Sequence, residues 1–455
     1  MQPLGMSEAK TKRIYICFAT RFAETGVLPA IAYKPGFDEV WILRGLSDPD
    51  GTPSESDHAN AISPARRTVA LFEARGLSPV RQVDIAARNS FVTGHALAAQ
   101  LKQLDSADIV LNVTGGMKPA NFGAMAILRH WVEDRGSNYR RSAEAIYMDT
   151  DGLGYSTVDR LGETPMWRED FDFTPGMTLE EFLGLRGYRI TQSEDAPAEP
   201  LLEAADRIWT VLKNANGEDR SNLISSMRAA ALRSNKSNRG EVEITPFPTA
   251  KIGPLRTQLV EALTEAAPSE FDLIDAKTGA IRIKSVAAQA FLGNGSWFEL
   301  LIMRKLEQRL AANIDLRLNL ELELDDISQN AEPTKFRELD VVAFDGRQLC
   351  VVECKTGAAR PSQRKLRPKK KGETNHVPFV TEPGVDQAEM NKIASVRMNI
   401  AGNGGFACLI NPRDPGEQTP HFQNMQLRAQ AEGVGLFVSA DGVEQGIEEI
   451  ARRMS

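Results

Sequence analysis

Continuous apolar runs alternate with helical periodicities along the first third of the chain. Short apolar stretches predict buried strands at Arg13–Ala19, Glu39–Leu43, Val80–Ile85, Ile109–Val113 and Ala145–Met148. Between these strands, apolar residues recur at helical spacing over Pro64–Arg75, Phe91–Leu104 and Pro119–Glu133. Strands that alternate with helices predict an α/β fold with a Rossmann-like parallel sheet, covered by helices on both faces.

The last third of the chain contains a stretch in which apolar and polar residues alternate. Two strands, Phe336–Phe344 and Arg347–Lys355, are predicted to join at a two-residue turn, Asp345-Gly346. The last residue of the first strand then pairs with the first residue of the second. A four-residue loop would keep the same residues on each face, whereas a three-residue loop would not.

With this pairing, Asp340, Glu353 and Lys355 share one face of the hairpin, and the other face is apolar. Two carboxylates and one ammonium on an otherwise apolar strand pair are costly to bury unless something uses them. Carboxylates are the ligands that Mg²⁺ and Mn²⁺ prefer, and a bound metal activates water. Lys355 would orient that water or stabilise charge on the phosphorus. The alternative interpretation is an exposed Glu353–Lys355 pair on a solvated face.

The motif Asp340 with Glu353-Cys354-Lys355 resembles the core of the PD-(D/E)XK nucleases, although Leu339 stands where the motif has proline. That resemblance implies a restriction-endonuclease-like α/β domain and a further acidic residue from a preceding helix. Glu299 is the candidate for that residue, and it gives a metal set of Asp340, Glu353 and Glu299. Ser296 lies three residues before Glu299, so a capping box explains the same pattern equally well.

Two loops of the first third, Thr20–Gly26 and Thr114–Pro119, follow predicted strands and carry polar or glycine residues. Paired glycines allow backbone to approach a ligand, and a helix start attracts phosphate. The spacing of the glycines in the second loop matches neither a P-loop nor a dinucleotide-binding fingerprint. The segment Asn112–Pro119 resembles the ligand loop of CARF domains, the sensors of cyclic oligoadenylates in type III CRISPR systems. The residues that this resemblance assigns to ligand binding are Thr20, Arg21, Thr114, Gly115, Gly116, Met117 and Lys118.

The order of these motifs in one chain is similar to that of the CRISPR ancillary nucleases activated by cyclic tetra-adenylate. The implied domains are a CARF-like sensor at 12–155, a connecting region at 156–284 and a PD-(D/E)XK nuclease-like domain at 285–455. The resemblance also implies a homodimer, dependence on Mn²⁺ or Mg²⁺, and cleavage of DNA, RNA or both in antiviral defence.

Composition and net charge limit the possible functions of the chain but do not identify one. The chain has 455 residues and a net charge of −7, which argues against indiscriminate coating of nucleic acid. A basic segment, Arg360–Lys371, follows the candidate site; such runs are usually solvated, but its position favours contact with a substrate backbone. No apolar run reaches the length of a membrane span, and the start lacks a signal-peptide pattern. We therefore expect a cytoplasmic protein without a membrane partner.

Two other functions are compatible with the sequence. The first is a nucleotide-regulated module whose nuclease-like domain is inert and only holds nucleic acid. The second is a ring nuclease that degrades the activator in the sensor domain, using Lys118 and Thr20 without metal. The helix predicted over Gly384–Ile400 carries Gln387 and Lys392, which could face substrate but are more simply explained as surface residues.

Overall fold

The chain divides into two compact units. In the computed structural model, the described residues are 11–33, 36–77, 79–134, 140–148, 155–161, 176–194, 199–234, 242–243, 253–275, 280–324, 337–356, 364–366, 379–381, 385–402, 404–414 and 420–454. The first unit comprises Met1–Ile190 with Glu323–Lys335, and the second comprises Thr191–Leu322 with Phe336–Ser455. The domain bounds 12–155, 156–284 and 285–455 stay a prediction.

The first unit has alternating strands and helices. Its strands are β1 (Lys12–Phe18), β2 (Glu39–Leu46), β3 (Val80–Ala86), β4 (Ala107–Asn112), β5 (Arg141–Met148) and β6 (Tyr155–Leu161). Its helices are α1 (Glu24–Ala32), α2 (Glu55–Asp57), α3 (Ser63–Ala74), α4 (Ser90–Leu101), α5 (Lys118–Glu133) and α6 (Leu179–Leu185), and a π-helical turn spans His58–Ile62.

The described strands of this unit form one sheet in the order β3-β2-β1-β4-β5-β6. The first five strands are parallel, and β6 is antiparallel to β5. All residues of β4 are buried, as expected for a strand covered on both faces. The predicted Rossmann-like sheet is confirmed, with strand and helix ends moved by a few residues.

Helix α1 was not predicted, because the sequence after β1 was interpreted as a loop as far as Gly26. The helix begins at Glu24, so the last three residues of that segment are helical. Nearly all residues of α1 are buried, including Val27 and Leu28. A helix buried on every side lacks the amphipathic periodicity by which helices are recognised in a sequence.

The chain passes from the first unit to the second within β7 (Tyr188–Glu194). The following elements are α7 (Glu199–Asn214), α8 (Gly217–Ser234), β8 (Val242–Glu243), α9 (Gly253–Ala266), β9 (Phe271–Asp275), β10 (Ala280–Ile283), α10 (Val286–Gly293) and α11 (Ser296–Glu307). The remainder are β11 (Asp315–Leu324), β12 (Arg337–Phe344), β13 (Leu349–Cys354), β14 (Arg364–Leu366), β15 (Phe379–Thr381), α12 (Val385–Val396), a π-helical turn (Arg397–Ala401), β16 (Phe406–Asn411), α13 (Pro420–Glu432), β17 (Gly435–Val438) and α14 (Ala440–Arg453).

A mixed sheet in the order β17-β16-β13-β12-β11-β7 organises the described part of the second unit. Strand β12 is antiparallel to β11 and β13, whereas β13, β16 and β17 are parallel. Helices α7, α9, α11 and α14 contribute to one hydrophobic core with the sheet. The predicted α/β class of this region is therefore confirmed. Within the described ranges, no helix combines the length and the apolar character needed to cross a membrane.

The hairpin formed by β12 and β13 turns over four residues, so the predicted two-residue turn is wrong. Phe344 pairs with Leu349, and the connecting loop is Asp345–Gln348. The Asp345 carboxylate accepts hydrogen bonds from the backbone N–H groups of Arg347 at 2.8 Å and Gln348 at 2.6 Å. Gly346 has a φ of +90°, which glycine adopts readily. This side-chain stabilised loop replaces the shorter turn, and it leaves each residue on the face that was predicted.

Candidate functional site

Two loops of the first unit lie side by side where β1 and β4 end. These strands are parallel neighbours, so the loops after them emerge at the same edge of the sheet. A Cβ atom built on Gly115 would lie 2.7 Å from Thr20 Cγ2, so only the absence of a side chain allows this approach. Thr114 is held from the other side, because its Oγ1 accepts a hydrogen bond from Met148 N at 2.6 Å. The structure thus brings together the two predicted loops.

The second loop leads directly into α5. Gly116 has a φ of +81°, and a Cβ atom there would lie 2.7 Å from the Phe18 ring. Met117 is the N-cap residue and makes no side-chain cap, so the first N–H groups of α5 lack that partner. Met117 is 46% exposed, and Lys118 is also exposed. This arrangement suits an anionic ligand, because helix N-termini attract negative charge.

Asn112 connects the two loops, and it was not among the predicted site residues. Its Nδ2 group donates to Tyr15 Oη and to the Thr25 carbonyl, both at 2.8 Å. Its Oδ1 atom accepts from Thr114 N at 2.9 Å. The side chain is buried, so these bonds fix the loop after β4 relative to the first turn of α1. A polar residue ending an otherwise apolar buried strand is the sequence signal that could have found it.

A buried ion pair lies behind the loop that follows β1. Arg186 pairs with Glu24, and both side chains are almost fully buried. The guanidinium lies over the rings of Phe22 and Phe182, at 5.2 and 5.0 Å from their centroids. Burial raises the pKa of Glu24, although Arg186 opposes the shift. The pair anchors the start of α1 from a residue 162 positions later in the chain, which no local pattern could indicate.

In the second unit, the predicted catalytic residues come together at the end of the β12–β13 hairpin. The ladder runs to Val341 and Val352, and the same register carries Asp340 to the position across from Glu353. The Cys354 N–H donates to Asp340 Oδ2 at 2.7 Å. The backbone of the next residue, Lys355, is fixed because its N–H donates to a β16 carbonyl at 3.0 Å. Three predicted residues therefore share one face, as the alternation required.

Glu353 is the most enclosed member of this group, with a side chain that is 0% exposed. Its Oε1 atom accepts from Lys355 Nζ at 2.5 Å and from Lys392 Nζ at 2.7 Å. Its Oε2 atom is buried without a hydrogen-bond partner. Glu389 contributes a further carboxylate, with Oε2 at 3.7 Å from Lys355 Nζ. Glu389 was not predicted as a site residue, and the preferred interpretation of Lys392 as a surface residue is wrong, because their helical pattern is also that of an ordinary surface.

Glu299 reaches the same group from α11, but not through the predicted capping box. The N-cap of α11 is Gly295, with a φ of +92° and no side-chain cap, and Ser296 is already helical. A Cβ atom on Gly295 would lie 2.6 Å from Thr356 Oγ1. This close approach places the first turn of α11 beside the residue that follows Lys355. The capping interpretation of Glu299 is therefore wrong.

Two carboxyl groups of this cluster, those of Glu299 and Asp340, have raised pKa values. Burial raises the pKa of Glu299 to about 8, and the charge of Asp340 adds to the effect. Burial also raises the pKa of Asp340 to about 7, with Glu353 as the second cause. For Lys355, burial lowers the pKa, but the carboxylates of Glu353 and Asp340 outweigh it and raise the pKa overall. The cluster thus has an excess of acidic groups.

As they stand, no three His, Cys, Asp or Glu side chains among the described residues are arranged as a ready metal-binding group. At Glu353, the ammonium groups of Lys355 and Lys392 both contact Oε1. Most of the basic segment Arg360–Lys371 lies outside the described residues, as does the side chain of Gln387.

The fold is that of a protein with a parallel-sheet unit and a second α/β unit, and solved structures share it over nearly the whole chain. The crystal structure of protein VC1899 from Vibrio cholerae matches with a TM-score of 0.66 and 15% identity, covering 97% of each chain. Can2 from Sulfobacillus thermosulfidooxidans, solved in complex with cyclic tetra-adenylate, matches with a TM-score of 0.61 and 19% identity. That match covers 97% of this chain and 99% of Can2. No protein-family model and no curated protein matches the sequence.

Proposed function

We propose that this protein is an endonuclease of type III CRISPR defence that is activated by cyclic tetra-adenylate and depends on a divalent metal. The observation that carries the proposal is the buried Glu353, which shares one face with Asp340 and Lys355 and has an unpartnered carboxylate oxygen. The likeness to Can2 in complex with cyclic tetra-adenylate supports the same conclusion for the first unit. The substrate is DNA, RNA or both.

The acidic cluster offers the oxygen ligands that a divalent cation prefers, although these described carboxyl groups are not arranged as a ready site without it. Glu353 Oε2 is buried and lacks a hydrogen-bond partner, so it has an oxygen to offer. Asp340 and Glu299 have raised pKa values because burial and neighbouring carboxylates disfavour their charged forms, and a cation relieves both effects. Asp340, Glu353 and Glu299 would hold the metal. When bound, Mg²⁺ or Mn²⁺ would activate water and neutralise charge on the phosphate.

The side chains around the metal site have separate roles in this proposal, and that of Lys355 is electrostatic. Lys355 has a raised pKa, so it stays protonated at neutral pH and acts as a fixed positive charge rather than as a base. Such a charge stabilises the phosphate oxygens as negative charge develops. Its fixed backbone and its hydrogen bond to Glu353 hold the ammonium in one position. Asp340 and Glu299 would hold a metal in their ionised forms, so each would give up its proton when the metal is present.

The loops after β1 and β4 form the activator site in this proposal. Thr20, Arg21 and the Thr114–Lys118 loop present hydroxyl groups, two glycines, open helix N–H groups and basic side chains to the phosphates of the ring. A ring with rotational symmetry is best bound by two copies of one loop, so the active species is a homodimer that binds one ring per two chains. Activation is a population shift towards the dimer conformation that binds the ring better.

The experiment that tests the proposal combines both sites in one assay. Purified protein is incubated with labelled single- and double-stranded DNA and RNA, with and without cyclic tetra-adenylate, Mn²⁺ and EDTA. We expect cleavage only when activator and metal are both present. Glu353→Gln should abolish it, whereas Glu307→Gln, an exposed position on α11, should not.

Other results of this assay point to the alternative functions. Binding of nucleic acid without any cleavage under all conditions would identify an inert nuclease-like domain. Chromatography of the activator after the reaction detects a ring nuclease, which would linearise cyclic tetra-adenylate in EDTA and lose that activity in Lys118→Ala. Isothermal titration that reaches its plateau at one ring per single chain would contradict the shared site of a dimer.

A further inference from the structure

The buried carboxylate of Glu353 is held by two lysines that differ in how they are placed. Lys355 belongs to the sheet, where its backbone N–H extends the ladder between β13 and β16. Lys392 comes from α12, and its side chain is 40% exposed. Both ammonium groups contact the same oxygen, Oε1, at 2.5 and 2.7 Å respectively. The Lys392 side chain is the more exposed of the two, at 40% against 31% for Lys355, and its backbone belongs to a helix rather than to the sheet.

Helix α12 is positioned so that Lys392 reaches the site. Its residues Met390, Ile393 and Val396 are buried, and the helix packs against β16. Glu389, almost one turn before Lys392, lies near Lys355. Lys355 is therefore shared among several carboxylates, whereas the hydrogen bond of Lys392 is directed to Glu353. A buried carboxylate without a compensating cation is strongly unfavourable, which gives Lys392 a role in the protein without metal.

We propose that Lys392 is the stand-in cation of Glu353, and that a divalent metal bound by Glu353 and Asp340 displaces it. The inference rests on the proposed function, because it assumes that these carboxylates bind a metal. A divalent ion and two ammonium groups compete for one buried carboxylate, and like charges repel at such distances. Lys355 is fixed by the sheet, so Lys392 is the group that leaves. Lys392 is therefore a positioning residue that keeps the Glu353 carboxylate in place until metal arrives.

The test measures Mn²⁺ binding by the full-length protein without nucleic acid or activator, using electron paramagnetic resonance to count free Mn²⁺. Removing the competitor in Lys392→Met should tighten Mn²⁺ binding about tenfold, the equivalent of one partly buried ion pair. Lys392→Arg keeps the charge and should bind as the wild type does. Lys213→Met is the matched control, because Lys213 is 49% exposed and pairs with Glu444 away from this cluster.

Thermal unfolding gives a second readout that does not depend on activity. In EDTA, Lys392→Met should melt below the wild type, because Glu353 loses one counter-ion. Saturating Mn²⁺ should remove most of this difference. Should Lys392→Met fail to fold, Lys392→Gln carries the same two expectations.

Two outcomes would overturn the inference. Unchanged Mn²⁺ affinity in Lys392→Met would show that Lys392 does not compete with metal, and weaker affinity would show that it supports metal binding instead. Glu353→Gln separates this failure from failure of the proposed function. If the wild type binds Mn²⁺ and Glu353→Gln does not, the metal site stands whatever Lys392 does. If Glu353→Gln binds Mn²⁺ as the wild type does, or if neither binds it, the metal site and the stand-in role both fall.

Discussion

The two candidate sites differ in how their buried polar groups are satisfied. At the loops of the first unit, Asn112 makes hydrogen bonds through both of its polar atoms, and its partners are all uncharged. At the hairpin of the second unit, Glu353 has a buried oxygen without a partner, and both Asp340 and Glu299 have raised pKa values. The buried polar groups therefore stabilise the first site, whereas the crowded carboxyl groups destabilise the second.

The first site is therefore a rigid, hydrogen-bonded loop, whereas the second site is a cluster of crowded acidic groups. A satisfied hydrogen-bond network makes a loop rigid, so that its backbone is ready for a ligand. Crowded carboxyl groups cost stability, and such a cost is typical of sites that need the charge for chemistry. Removing an acidic group at the second site should therefore raise stability, whereas removing a hydrogen-bonding side chain at the first site should lower it.

The largest effect is expected at Asp340. Asp340→Asn should lower the rate of metal-dependent cleavage by about a thousandfold or more, because a metal ligand is lost. The same change should raise the melting temperature in EDTA, because it removes one of the crowded acidic groups. Rates from single-turnover cleavage and melting curves from calorimetry check the two parts. Near-normal cleavage by this variant would remove Asp340 from the site.

The pH dependence of stability in EDTA is the next largest effect. A carboxyl group whose pKa is higher in the folded protein binds its proton more tightly there, so folding is favoured at low pH. The free energy of unfolding should fall as the pH rises from about 4, the ordinary value, to about 8, the pKa of Glu299. The expected slope is on the order of 1 kcal/mol per pH unit for each such group.

Urea unfolding at a series of pH values measures this slope. The double variant Glu299→Gln with Asp340→Asn should flatten it, and saturating Mn²⁺ should flatten it in the wild type. An equally steep slope in the double variant would assign the pH dependence to other groups.

At the first site, a substitution of Asn112 is expected to lower stability. Asn112→Ala should lower the free energy of unfolding by about 1–3 kcal/mol, because buried partners lose their hydrogen bonds. Affinity for cyclic tetra-adenylate should fall about tenfold as the two loops lose their connection. Ser142→Ala is the matched control: it removes a bond to the buried Asp108 at the other end of β4, so it should cost stability and spare affinity. Equal affinity loss in both variants would make Asn112 merely structural.

The smallest effect is expected at Lys118. Lys118→Ala should weaken binding of cyclic tetra-adenylate by about three- to fivefold, because an exposed lysine contributes little to a phosphate contact. Cleavage should recover at saturating activator, since Asp340, Glu353 and Lys355 are unchanged. Lys102→Ala, an exposed lysine at the C-terminal end of α4, provides the comparison in calorimetric titrations. Identical affinities for the two variants and the wild type would show that Lys118 does not touch the ring.

The sequence alone determined the features that follow from the local periodicity of apolar and polar residues. Apolar runs of strand length located β1 to β5, and alternation put Asp340, Glu353 and Lys355 on one face. These predictions succeeded because side-chain direction follows backbone periodicity, which neighbouring residues encode. Asp340, Glu353 and Lys355 lie on the predicted face even though the predicted turn length was wrong. The two-residue and four-residue loops differ by an even number of residues, so each side chain stays on the same face of the sheet.

Only the tertiary structure decided which groups meet across long separations. The Asp345 side chain selected the four-residue loop by bonding backbone N–H groups, which a two-residue turn does not provide. Gly295 began α11 one residue earlier than the expected cap, because the chain there presses against Thr356. Lys392 meets Glu353 across 39 positions, and no local pattern distinguishes it from a surface lysine. Periodicity specifies which way a side chain points, but packing of the whole core specifies what it meets.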